Sequence, residues 1–147
     1  MKDKLVKASD RFGIIAAVIL AVIIIVQSLV FTDYMFNKHG DFHSDDEFSY
    51  GLSNGNRSDR FVSALIAEEP VPIYNEWLDG DTYWGYVTVG ETERFDYANV
   101  YENQVNDVHP PLYYFVLHTI CSFFPDTFSL WYAFSINLFS FAVMQVC

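Results

Sequence analysis

Two short segments hold the side chains best suited to chemistry. Ser44-Asp45-Asp46-Glu47 sets three carboxylates in a row, and Asp107-Val108-His109-Pro110-Pro111-Leu112-Tyr113-Tyr114 sets a histidine directly before a Pro-Pro pair. A carboxylate suits general-base work, and a histidine suits hydrogen bonding to a phosphate oxygen. Both segments fall next to uncharged runs, at the depth where lipid phosphates lie.

Those runs set the architecture. Phe12 to Phe31 is twenty residues without a charge. As a helix it rises about 30 Å, the thickness of a bilayer's hydrocarbon core. Four basic residues precede it, but the run is too long and lacks the small-residue cleavage pattern of a secretory leader. A second uncharged region runs from Pro110 to Cys147, broken only at Pro125-Asp126. The expected order is a cytoplasmic tail at 1–11, a first crossing at 12–32, an outer loop at 33–109, a second crossing at 110–124 and a third at 127–147. The fold class expected is mainly α, a multi-pass helical membrane protein with short amphipathic helices in its outer loop. The uncharged run up to Cys147 reads as the start of a longer membrane protein.

Charge orients this layout. Residues 1–11 carry four bases and two acids, whereas Thr32 to His109 carries sixteen acids and four bases. Cytoplasmic flanks favour Lys and Arg, which puts the N-terminus inside a cell membrane and the loop outside. The net charge of −11 therefore sits almost wholly in the loop. Such a surface disfavours nucleic acid and offers no polybasic lipid anchor. Cys121 and Cys147 both fall in apolar runs, so no disulfide framework holds the loop.

Within the loop, Ser44 with Glu47 three residues later reads as a capping box, and the helix fades by Ser53-Asn54-Gly55. Phe61, Val62, Leu65 and Ile66 predict an amphipathic helix over 58–69, stopped by Pro70. Asp79-Gly80-Asp81 reads as a turn, and Thr82 to Val89 as a short aromatic and β-branched strand. A helix near 97–107 is expected to place Tyr97, Val100, Tyr101 and Val105 on one side. Pro-Pro after His109 suits the first turn of the next helix.

Several alternatives stand beside the chemical reading. The acids could simply favour a helix N-terminus. His39 and His43, with Asp41 and Asp45, could hold a divalent metal, although the spacing is no zinc signature and Gly40 interrupts it. His118 inside an apolar run reads as a packed polar contact. Tyr83, Trp84 and Tyr86 fit an interfacial aromatic belt or local packing. Asn56-Arg57-Ser58 matches a glycosylation acceptor by pattern alone.

Taken together, the basic N-terminus, the single crossing, the acid-opened loop (Phe42-His43-Ser44-Asp45-Asp46-Glu47-Phe48-Ser49-Tyr50) and the His109-Pro110-Pro111-Leu112-Tyr113-Tyr114 step resemble the start of the GT-C membrane glycosyltransferases. The likeness is to the protein-mannosyltransferase-like branch, glycosyltransferase family 39. It implies transfer of a sugar from a polyprenyl phosphate donor to an acceptor outside the cytoplasm. It also implies Asp45 or Asp46 as the catalytic base, with Glu47, His109 and Tyr113 on the substrate side and His109 nearest the donor phosphate. The implied partners are the lipid-linked sugar, membrane lipids and a glycan or protein acceptor. Displacement at an anomeric carbon needs a base at the acceptor and charge stabilisation at the departing phosphate. The competing readings are a non-enzymatic membrane protein whose acidic ectodomain binds a partner, and a metal-dependent outer-face hydrolase.

Overall fold

The structure, a computed structural model, describes residues 2–38, 43–55, 79–105 and 107–146. The expected helix over 58–69, the Asn56-Arg57-Ser58 pattern and the pair His39 and Asp41 lie outside those residues. The fold is mainly helical, with no strand among the described residues. Among the described residues the helices are α1 (Lys2–Lys38), α2 (Ser44–Asn54), α3 (Gly80–Val87), α4 (Tyr97–Gln104), α5 (Pro111–Ser122) and α6 (Leu130–Val146), with a 3-10 turn at Glu91–Glu93. They divide between two compact units, one of Met1–Asp41 and Asn137–Cys147, the other of Phe42–Ile136.

In the first unit, α1 carries Arg11–Asn37, which is long and apolar enough to cross a membrane. Its Ile, Val and Leu side chains are exposed almost all round, as suits a helix whose solvent is lipid rather than water. The Phe31 and Phe141 rings meet edge to face at 5.1 Å.

In the second unit, α2 packs on α3, α4 and α5. Its N-cap is His43, one residue before the expected Ser44. The Asp45 N–H donates to His43 Nδ1, and the His43 N–H donates to Asp46 Oδ2. The box therefore closes through His43 and Asp46 rather than Ser44 and Glu47. The imidazole supplies the acceptor that an N-cap requires, so Ser44 becomes the first helical residue. Farther along, the Tyr86 ring lies directly on Gly51, where any β-carbon would overlap it. Tyr50 is buried at the centre of the unit. Its hydroxyl donates to the Ser129 carbonyl at 2.7 Å and accepts from the Ala133 N–H at 3.1 Å, so it sits inside the first turn of α6.

Thr82–Val87, expected as strand, is helix. Asp79 caps it, its Oδ1 accepting from the Thr82 N–H at 2.7 Å. The turn signal is thus a helix start, and Tyr83, Tyr86 and Val87 meet the core at helical spacing. Asp96 caps α4 in the same way through the Asn99 N–H. The inward face of α4 is Val100, Asn103 and Gln104, while Tyr101 and Val105 are exposed. Asn103 turns inward because its amide donates to the Leu52 and Gly55 carbonyls at the end of α2. These carbonyls have no partner within their own helix.

Helix α5 forms where the Pro-Pro step predicts, over part of the expected crossing at 110–124. The segment 89–107 runs antiparallel along its whole length. Asp107 lies within electrostatic range of the Tyr114 phenol, the Tyr97 and Thr119 hydroxyls meet at 3.0 Å, and Arg94 Nε donates to the Ser122 carbonyl. Beyond the helix the Asp126 N–H donates to the Val89 carbonyl at 2.9 Å. Both ends of α5 are therefore tied to one stretch of the loop. A twelve-residue helix also rises only about 18 Å, short of the roughly 30 Å core of a bilayer. Ser129, whose hydroxyl accepts from the Trp131 N–H, starts α6. α6 begins in the second unit and ends in the first.

Candidate functional site

The first turn of α2 splays its acids in three directions. Asp45 points to water, its side chain 88 % exposed, with its carboxylate 3.6 Å from His43 Nδ1. Because that nitrogen accepts the Asp45 N–H, the neutral ring carries its proton on Nε2. Asp46 closes the cap and lies within electrostatic range of the Tyr50 and Tyr113 phenols. Glu47, half-buried, faces α3. Burial first, then the Glu47 charge, pushes the Tyr83 and Tyr86 phenols above their ordinary values. Burial does the same to Tyr50. A neutral phenol beside a carboxylate is a hydrogen-bond donor, so this turn is lined by donors that stay protonated.

The mouth of α5 is built around Asp107. Its side chain is 17 % exposed. It accepts from the Val108 N–H at 2.8 Å and from His109 Nδ1, which is 3.1 Å from both carboxylate oxygens, and burial together with its charge pushes the Tyr114 phenol up. The His109 ring is itself 64 % exposed and lies near Tyr114, centroid to centroid 6.5 Å. With Nδ1 directed at Asp107, the ring presents its Nε2 edge outward. Tyr113 is half-buried, edge-on to Tyr114, and packs on the core formed by Tyr50, Tyr86 and Leu117.

Helices α2 and α5 run in the same direction. Asp46 at the start of α2 faces Tyr113 at the start of α5, whereas Ser53 and Asn54 at the end of α2 reach His118 and Cys121. The acid turn and the histidine mouth thus open at one end of the unit, where two helix N-termini add partial positive charge. Each set is paired locally, Asp45 with His43 and His109 with Asp107.

Sequence reasoning missed two participants. Asp107 was readable as an Asp-x-His spacing. Tyr50 had no signal beyond its aromatic type, because its role depends on Ser129 and Ala133, about eighty positions away. His118 is buried as expected, with neither ring nitrogen hydrogen-bonded. Trp84 is half-exposed and Tyr86 lies in the core, so the aromatic trio serves local packing in part. No cluster of three metal-ligating side chains occurs among the described residues. No known protein family matches the chain, and neither a curated protein nor a solved structure does.

Proposed function

We propose that this chain is the N-terminal part of a membrane glycosyltransferase that moves a sugar from a polyprenyl phosphate to an acceptor outside the cytoplasm. The observation that supports this reading is the parallel pairing of α2 and α5, which brings the acid turn and His109 to one end of the second unit. Asp45 takes the proton of the acceptor hydroxyl as its oxygen bonds to the anomeric carbon. The bond from that carbon to the phosphate oxygen breaks, and its electron pair stays on the phosphate. His109 Nε2–H donates to that oxygen, with Asp107 orienting the ring. Asp46, engaged in the cap, positions the turn. Glu47 and Tyr113 flank the acceptor and donor sides. In this reading α1 and α6 are the crossings, and no metal is required by the residues present.

The local pairing of each set is compatible with this chemistry, since an acceptor and a sugar ring must fit between base and phosphate. The test is the full-length protein carrying Asp45→Asn, supplied with polyprenyl-phosphate sugar. Turnover is expected to fall about 10²–10⁴-fold, the usual contribution of a general base. Unchanged turnover in a normally inserted protein removes Asp45 from the role.

A further inference from the structure

Helix α5 is built inside out. Its inward face carries Tyr114, Leu117, His118, Cys121 and Ser122, of which His118 and Ser122 are polar and fully buried. Its outward face carries Leu112 and Val116 and runs on to the C-cap Phe123, with Ile120 half-buried between Val116 and Phe123. Leu112 is 72 % exposed and Phe123 62 %. No charged residue occurs from Pro110 to Pro125. A helix facing water does the reverse, presenting its charged and polar residues outward.

The end of the stripe is held in place at a conformational cost. Phe95 has φ of 58°, unusual for a bulky residue. Its N–H donates to the Ser122 hydroxyl, and Arg94 beside it grips the Ser122 carbonyl. These bonds set the exposed Phe95 ring edge-on to Phe123 at 5.3 Å. Strain that holds an apolar ring outward points to an environment that takes it up. The stripe continues into Phe124, stacked on Tyr132 of α6, and α6 carries no charge from Leu130 to Val146. The stripe therefore adjoins the first turn of α6, the helix that enters lipid in the proposed function, on which this inference rests.

From this we infer that α5 lies in the plane of the lipid–water interface, with Leu112, Val116, Ile120 and Phe123 resting on the acyl boundary. Its length and its pinning to 89–107 exclude a crossing, and its outward face excludes water. The His109 mouth is then fixed at headgroup height by the same helix.

The test uses nitroxide labels on single cysteines placed by Leu112→Cys, Val116→Cys and Phe123→Cys, each in a Cys147→Ser background. Cys121 is buried and out of reach of the label. The protein is reconstituted in vesicles of phosphatidylcholine and phosphatidylglycerol. Collision with oxygen and with a water-soluble nickel chelate is measured, with Tyr101→Cys on α4 as the water reference and Phe139→Cys on α6 as the lipid reference. The expected result is oxygen accessibility above that of the chelate at all three positions, at one shallow depth. A depth difference near the about 16 Å that separates residues 112 and 123 along a helix axis overturns the in-plane helix in favour of a crossing. Inaccessibility to both reagents overturns it in favour of a protein partner, whether another segment or a second copy. Chelate accessibility at 112, 116 and 123 with Phe139 still in lipid overturns this inference alone. Chelate accessibility at Phe139 as well overturns the reading of α6 as a crossing together with it.

Discussion

At the scale of single residues, the site is two local devices rather than one cluster. Each ionisable group first satisfies a neighbour: His43 takes an amide proton, Asp46 an amide proton, and Asp107 the Val108 N–H and His109 Nδ1. The Asp45 carboxylate, 88 % exposed beside His43, and the outer edge of His109 are the parts that face water. For His109→Ala in the full-length protein, the expected outcome is a rise in donor KM by about 10-fold to 100-fold, the equivalent of about 1.5–3 kcal/mol for a hydrogen bond to a charged group. Donor titration in steady-state assays checks it, and an unaltered donor KM assigns His109 a structural role. Of these residues, the acids and His109 were readable from type and position. The role of Asp107 was only half readable. The one-residue shift of the cap was not, since a histidine and a serine side chain offer comparable acceptors and geometry alone chooses between them.

At the scale of elements, the second unit depends on close approach of helix backbones. Tyr86 lies flat on Gly51, so α2 and α3 approach more closely than two residues with β-carbons allow. Helix propensity by itself favours Gly51→Ala by about 1 kcal/mol. Overpacking against a fully buried ring costs about 1–3 kcal/mol or more. A net loss of stability is therefore expected, visible as a lower melting temperature by near-UV circular dichroism, and a stabilised variant contradicts the packing. The start of α3 gives a pH prediction. The Thr82 N–H bonded to Asp79 holds that carboxyl below its usual range. A carboxyl whose folded value is depressed stabilises the helix above its unfolded value, near pH 4. That contribution is lost as the pH falls through the lower folded value. The Thr82 amide shift is expected to titrate in that window and to stop titrating in Asp79→Asn. A titration that persists in the variant assigns the effect elsewhere. Local caps such as Asp79 and Asp96 are written in short stretches of sequence. The reading of Thr82–Val89 as strand failed because the cap and the helical spacing of the core contacts outweigh the β-propensity of its side chains.

At the scale of the whole molecule, the governing feature is the division of the chain into an acidic helical unit and a unit of apolar helices. A charge at the centre of α1 tests the crossing directly. Ile23→Arg is expected to weaken insertion by about 2.5–3.5 kcal/mol. The loss is read as the fraction of chain recovered with membranes after alkaline extraction. A fraction equal to that of the unmodified chain argues that α1 does not cross. The sequence by itself determined α1, the charge asymmetry around it and the helical start after Pro-Pro, because run length, composition and proline geometry act locally. Only the tertiary structure decided that α5 packs on α2 and α4, that Asn103 faces inward and Tyr101 outward, and that the acid turn and the histidine mouth share an end. Each of those outcomes depends on hydrogen bonds between residues tens of positions apart, such as Asp126 to Val89 and Arg94 to Ser122. Hydrophobic periodicity carries no information about which distant carbonyl a donor will find.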